Sequence, residues 1–272
     1  HVTYDNSKVL KWTKKPVVIT IHDLIPEIFY SQGKERIDAR KKLIDRAEHI
    51  ICISTKTQND LLKYYPEVDG AKTSIIYHGA NEYKGEYKKP YSFKYILYVG
   101  DRSAAYKNFA LMVKALSGVV RVELKLVCTG AAFTADENEM LLELGIKENV
   151  VLAGYVDEDE LASLYHFAEC FVYPSKYEGF GIPILEGFAN KCPICISNAS
   201  CFPEIAGEAA DYFDPEDLDS IRESVLRVMT DKEYASSLVE KGLERMKAFS
   251  WDEAAKRTLD VYNQVVRSAG KK

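Results

Sequence analysis

The strongest constraint on this chain is a regular exchange of short apolar runs for amphipathic ones, beginning near residue 95. "KYILYVG" reads as a strand and "NFALMVKAL" as a helix; "RVELKLVC" is a strand and "DENEMLLELG" a helix. "NVVLAG", "ECFVYP" and "CPICIS" continue as strands, with "DEDELASLYHFA" and "IPILEGFAN" as the helices between them. Such alternation predicts βαβ units and a parallel sheet covered on both faces, an α/β fold. The tail from "PEDLDSIRESVLRVMTD" onwards is helical in pattern.

The first part of the chain carries fewer strands. "PVVITI" ends in His22-Asp23, "IICIS" follows the basic segment "KERIDARKKLIDRAEHI", and "TSIIY" ends at His78-Gly79. Ser54 stands where it would cap the helix through "QNDLLKYY". The stretch 82–94 is polar, rich in tyrosine and broken by Gly85 and Pro90. The expected division is a partial Rossmann-like domain over 1–84, a linker over 85–94 and a complete Rossmann-like domain over 95–250. Residues 251–272 are expected to form a helix packing back toward the first domain.

A net charge of -5 leaves no electrostatic footprint for nucleic acid. No apolar run approaches the ~20 residues of a membrane span. Six cysteines, three of them inside apolar strand-like runs, fit a reducing cytoplasm. Cys192-x-x-Cys195 with Cys201 nearby has no second pair or close histidine to complete a metal set, so no metal is expected. Neither G-x-G-x-x-G, Walker A nor G-x-S-x-G occurs, which removes support for dehydrogenase, P-loop and α/β-hydrolase readings.

Two stretches place chemistry at strand ends, where open α/β sheets bind ligands. In "YPSKYEGFGIPILEGFAN", Gly179 and Gly181 permit a tight turn and Pro183 suits a first helical turn. The amides of that turn favour an anion such as a diphosphate. Glu186, read as lying in the same turn, could accept bonds from both hydroxyls of a ribose, and Glu178 could hold sugar hydroxyls. Alternatively, Glu186 complements the helix dipole and Glu178 is merely solvated. In "YVGDRSAAYKNF", Arg102 and Lys107 are two cations suited to phosphate oxygens, or else two ordinary surface cations. The segment Lys34–Arg46 has six basic and three acidic residues, fitting a solvated helix face or a contact with an anionic membrane.

These stretches resemble glycosyltransferase family 4. "EGFGIPILE" fits the E-x7-E signature of retaining glycosyltransferases, and "SNASCFPEIAGEAADYFDP", "YVGDRSAAYKN", "GYVDEDELASLYHFA" and "FSWDEAA" are similar to the family in the same order. "TIHDL" and "IYHGAN" also match, although the family usually has Asn-Gly where this chain has His78-Gly79. The resemblance runs from about Val17 to Val265 and implies a GT-B fold, two Rossmann-like domains with the nucleotide sugar held by the second and the acceptor by the first.

By the same resemblance, Arg102 and Lys107 neutralise the donor diphosphate, and Glu186 holds the nucleotide ribose. Glu178, with the backbone of Phe180, Gly181 and Ile182, positions the sugar. His22 lies near that sugar and the acceptor, and Gly154, Tyr155 and Val156 lie by the base. The implied reaction keeps the anomeric configuration and uses no metal or other cofactor. The donor is a nucleoside-diphosphate sugar, GDP-mannose being the first expectation, and the acceptor a glycan or lipid-linked glycan at the cytoplasmic membrane face. Fixed cations act where negative charge grows on the leaving diphosphate. Rival readings are a sugar-nucleotide epimerase and a catalytically silent nucleotide-sugar-binding subunit. Members of the family carry further strands and a glycine-bearing loop ahead of "TIHDL", so the chain is expected to be a fragment with its acceptor domain truncated.

Overall fold

The computed structural model describes residues 1–30 and 34–270. Its first elements are β1 (Val18–Ile21), α1 (Ile25–Phe29), α2 (Lys34–Arg46), β2 (His49–Cys52), α3 (Thr55–Tyr64) and β3 (Thr73–Ile75). There follow β4 (Lys94–Tyr98), α4 (Phe109–Leu116), β5 (Leu124–Thr129), α5 (Ala135–Glu143), β6 (Val150–Gly154), α6 (Glu158–Phe167) and β7 (Cys170–Tyr173). The last are α7 (Ile182–Ala189), β8 (Ile194–Ser197), α8 (Phe202–Ala206), β9 (Asp211–Phe213), α9 (Leu218–Thr230), α10 (Lys232–Met246) and α11 (Trp251–Ala269). Residues 271 and 272 of the expected C-terminal helix lie outside the described residues. The chain forms two compact units: His1–Gly79, Glu178–Phe180 and the segment from Phe249 make unit 1, and Ala80–Tyr177 with Gly181–Ala248 make unit 2.

In unit 1, β1, β2 and β3 are parallel neighbours in that order, with Ile19 opposite Ile50 and Ile51 opposite Ser74. Side chains alternate across a strand. Ile19, Ile21, Ile50 and Cys52 therefore share one core with Leu43 and Ile44 of α2 and Leu61 of α3. Val18 and Ile51 pack with Val261 and Val265 of α11 in another. Each such aliphatic side chain contributes ~1.5–3 kcal/mol when fully buried, which seats α11 on this sheet despite its distance in sequence. Ser54 caps α3, its Oγ accepting from the Thr57 amide at 3.0 Å.

Helix α2 corrects the reading of a wholly solvated basic face. Arg40 is 3% exposed and donates to Asp5 at 2.8 and 2.9 Å, to Glu27 at 2.7 Å and to the Asp23 carbonyl at 2.9 Å. Burial pushes the Asp5 carboxyl up, but hydrogen bonds from Arg40 and Arg36 outweigh it and hold it below its ordinary value. Of the other basic residues of the helix, Lys34, Arg36, Lys41 and Lys42 are exposed and Arg46 is half-buried.

In unit 2 all six strands are parallel in the order β6-β5-β4-β7-β8-β9. One face packs Ile96, Leu126, Cys128, Val172 and Phe213 with Met112 and Val113 of α4 and Ile221 and Val225 of α9. The shortest helix and the shortest strand of unit 2, α8 and β9, fall in "SNASCFPEIAGEAADYFDP" and close the sheet at β9, which the strand pattern alone does not predict. Residues 80–93 form no helix or strand. They are nevertheless held to unit 2: Tyr87 stacks on His166 with centroids 3.8 Å apart, and the Tyr83 hydroxyl donates to Asp159 at 2.9 Å. Among the described residues no helix is long and apolar enough to cross a membrane.

Candidate functional site

The order of strands fixes where unit 2 can bind. Successive strands β4, β5 and β6 add in one direction, then β7 returns to the other side of β4. The loops after β4 and β7 therefore leave the sheet in opposite senses, which creates a crevice at the carboxyl ends. The ends of β4, β5 and β6 carry Gly100, Gly130 and Gly154 at φ of 130, 95 and 80°, a region that glycine enters without steric cost. The Gly130 amide donates to the Gly154 carbonyl at 2.7 Å. A cavity of about 390 Å³ opens there, lined by Gly100, Arg102, Thr129, Gly130, Tyr155 and Val156 among others. Tyr155 is 87% exposed. Gly130 and Thr129 are additions to the residues expected from sequence. Their signal was available, since "CTG" repeats at the end of β5 the strand-then-glycine pattern of "YVG".

Arg102 lines this cavity with its guanidinium already engaged. Nε donates to Glu137 at 3.0 Å, one terminal nitrogen to the Thr129 carbonyl at 2.8 Å, and the other to the Ala131 carbonyl. Its side chain is 4% exposed and lies over the Phe133 ring at 4.7 Å. The arginine thereby ties the loop after β4 to the one after β5. Lys107 ends a short 3₁₀ turn, and its ammonium lies 5.5 Å from the Tyr106 ring and 6.0 Å from that of Tyr173 at the end of β7.

Two hydrogen bonds join the loops on either side of the crevice. The Lys176 amide donates to the Tyr106 carbonyl at 2.8 Å, and the Asn108 side chain donates to the Pro174 carbonyl at 3.2 Å.

Helix α7 starts at Ile182, capped by Gly181 at φ 93°. Pro183 has no N–H, and the Ile184 amide turns back to the Gly181 carbonyl at 2.9 Å. Pro183 and Ile184 therefore offer no amide to a ligand at this tip. This start corrects the placement of Glu186: no acidic residue lies in the first turn, and Glu186 stands in the second. Its carboxylate accepts from the Tyr165 hydroxyl at 3.0 Å. Burial raises the Glu186 carboxyl above its ordinary value, the Tyr165 bond opposes this, and Glu158 adds to it. A carboxylate held this way is oriented by a fixed donor and desolvated, ready to accept hydroxyl hydrogen bonds.

Glu178 and Phe180 belong to unit 1. The Gly179 carbonyl accepts from Ser54 Oγ at 2.7 Å and from Thr57 Oγ1 at 3.1 Å. A Cβ on Gly179 would stand 1.7 Å from the His22 carbonyl oxygen, so only glycine fits. Phe180 meets His78 edge-on at 5.1 Å, and His78 stacks on His22 at 5.6 Å. The structure thus gathers His22, Phe180 and Glu178 in unit 1. It gathers Arg102, Tyr155 and Val156 in one cavity of unit 2, with Lys107 beside Tyr173 and with Gly181, Ile182 and Glu186 on α7.

All six cysteines are free and buried. Burial pushes the Cys52 and Cys128 thiols up to about 12. Among the described residues no group of three His, Cys, Asp or Glu side chains could hold a metal ion.

A parallel sheet whose strand order reverses between β4 and β7 defines the open, doubly wound α/β class, with its crevice at the carboxyl ends. Residues 80–245, more than half of the chain, match the model of the glycosyl transferases group 1, and residues 5–83 match that of glycosyltransferase family 4. The chain belongs to the group 1 glycosyl transferases. It is 34% identical over 173 residues to the O-antigen chain mannosyltransferase B of Escherichia coli, covering 62% of this chain and 45% of that protein. It is 29% identical over 214 residues to the O-antigen chain mannosyltransferase RfbU of Salmonella typhimurium, covering 77% of this chain and 60% of that one. The chain thus spans roughly half of these curated relatives. Sucrose-phosphate synthase from Thermosynechococcus elongatus superposes with a TM-score of 0.81 at 21% identity, over 98% of this chain and 73% of that one. The fold is α/β of GT-B type, with two Rossmann-like units.

Proposed function

We propose that this chain acts as a retaining, metal-independent glycosyltransferase that moves a hexose, mannose first, from a nucleoside-diphosphate sugar to a glycan or lipid-linked glycan acceptor in cell-surface polysaccharide synthesis. The observation that carries the reading is the closure of the crevice in unit 2: the loop bearing Lys107 is bonded to the loop that leads into α7. A cation and the Gly181 and Ile182 amides are thereby held on the same two loops. GDP-mannose is the preferred donor because two of the relatives are named mannosyltransferases.

Charge dictates the division of labour. Cleaving the bond from sugar to phosphate leaves an electron-poor anomeric carbon and a diphosphate gaining negative charge. Lys107 and the α7 amides stabilise that growing charge without reorganising. Glu186, held by Tyr165, accepts the ribose hydroxyls, and Tyr155 and Val156 flank the base. Glu178 and His22 address the sugar. The departing phosphate itself takes the acceptor proton on the same face, which retains the anomeric configuration. Acceptors on a lipid carrier would bring the enzyme to an anionic cytoplasmic membrane face, and the exposed Lys34, Arg36, Lys41 and Lys42 of α2 support such a contact.

The test is calorimetric titration with GDP, UDP and ADP in chelator, for the native chain and for Glu186→Ala. Binding of one nucleotide, lost in the variant, is expected; equal binding by the variant refutes the ribose role, and no binding by either refutes the site. One observation favours a second reading, a binding subunit without turnover: each of the three guanidinium nitrogens of Arg102 already donates to a protein group. Donor-sugar hydrolysis by the native chain decides against it.

A further inference from the structure

His22 follows β1 directly and His78 lies just beyond β3, so the two outer strands of the unit 1 sheet each end in an imidazole. The rings lie 18° from parallel at 5.6 Å, and Tyr4 continues the stack on His22 at 6.3 Å and 29°. Behind His78 stand Phe180, edge-on at 5.1 Å, and Trp251 at 5.4 Å. Centroid separations of 4.5–7 Å are those of attractive ring pairs, each contributing ~0.5–1.5 kcal/mol. The His22 ring thus stacks with both Tyr4 and His78, and Phe180 and Trp251 pack against His78.

Burial disfavours the charged form of both imidazoles. Burial, then the neighbouring His22, brings His78 down to about 4. Burial also lowers His22, against the attraction of Asp23, a hydrogen bond to the Thr3 carbonyl and the field of Asp5; Arg40 acts in the same direction as burial. Asp5 is itself bound to Arg40 and Arg36, which blunts its pull on His22. A neutral imidazole has one N–H and one bare nitrogen. With the N–H given to Thr3, the other nitrogen of His22 can only accept. Sugar substrates offer hydroxyl donors.

We propose that His78 is a positioning residue: it clamps the His22 ring so that the nitrogen not committed to Thr3 is held as a hydrogen-bond acceptor for a hydroxyl of the sugar. This rests on the glycosyltransferase reading above. It depends on the ring at position 78, because an asparagine there would have none to stack.

The experiment compares His78→Phe, which keeps a flat ring, with His78→Ala and His78→Asn, which do not. The His22 Cε1–H resonance is titrated by NMR in the ligand-free chain, and donor turnover is measured across pH. In His78→Ala, the His22 midpoint is expected to rise toward the ordinary 6.5. Its kcat should fall up to about tenfold, the worth of one hydrogen bond, with donor KM little changed and the acid limb of the profile moved to higher pH. His78→Phe should restore both readouts. A His22 titration identical in His78→Ala, His78→Asn and the native chain overturns the clamp. So does a kcat loss in His78→Phe equal to that in His78→Ala, which would give the role to the His78 nitrogens. A native chain without turnover defeats the functional reading alone, and the NMR titration still decides the clamp.

Discussion

The carboxyl ends of the two sheets are furnished in opposite ways. In unit 2 the end of the sheet is charged and bonded: Arg102 is tied to Glu137 and two carbonyls, and Glu186 to Tyr165. In unit 1 it is a stack of neutral rings, Tyr4, His22 and His78, with Phe180 and Trp251 behind. Unit 1 gathers its ions around Arg40 and its carboxylates, which reach the rings through Asp23 beside His22. Fixed ions suit an anion whose charge changes. Flat neutral surface with an acceptor nitrogen suits hydroxyls and apolar sugar faces.

The sharpest way to break the contrast is to remove the arginine of each unit. Arg40→Met should cost ~3–5 kcal/mol, the loss expected when one partner of a buried ion pair is removed, because it leaves Asp5 and Glu27 uncompensated. Arg102→Met should fall at the low end of that range, Glu137 being 14% exposed and able to recover water. Denaturant unfolding separates the two, because both tryptophans, Trp12 and Trp251, belong to unit 1. Arg40→Met should shift the fluorescence transition, and Arg102→Met only the part seen by circular dichroism. An Arg102→Met chain of native stability that has lost nucleotide binding would instead make Arg102 a ligand contact.

Acid should act next, and on unit 1. The His78 midpoint is about 4 in the folded chain against an ordinary 6.5. The unfolded chain therefore binds more protons between those values. The stabilisation is full above pH 6.5 and is lost as pH falls toward 4, by about 3 kcal/mol; His22 adds to it with the same sign. Tryptophan-monitored stability should slope downward through this window and flatten in His78→Phe. An equally steep variant would place the acid loss elsewhere.

The smallest effect is expected at the anchor of the glycine tripeptide. Ser54→Ala removes a helix cap and one of the two hydroxyls on the Gly179 carbonyl, about 1–2 kcal/mol in all. Thermal unfolding of the variant reads it directly, and a loss below a few tenths would mean that Thr57 alone secures the carbonyl.

What the sequence made legible follows how local each cause is. The strands of unit 2 could be read because "ECFVYP" and "CPICIS" are buried on both faces and their apolar runs are unbroken. By contrast, α8 and β9 are too short to show a period, and residues 80–93 look like a linker although tyrosines hold them to unit 2. Glu186 was assigned to the wrong helical turn because the start of α7 depends on Gly181 adopting a left-handed backbone. The presence of Arg40 and Arg102 was plain, but not their inward direction, since Asp5 and Glu137 are distant in the chain. The ring stack draws on residues 4, 22, 78, 180 and 251, and no spacing rule joins these.

The distribution of buried thiols gives the molecule a built-in clock. Cys52 is the one cysteine of unit 1, and the other five belong to unit 2. All are sealed from solvent, and a thiol held up near 12 offers almost no thiolate to a reagent at neutral pH. Modification must then wait for local opening. The rate at which mass accumulates on Cys52, set against that on Cys128 or Cys195, reports how often each unit breathes.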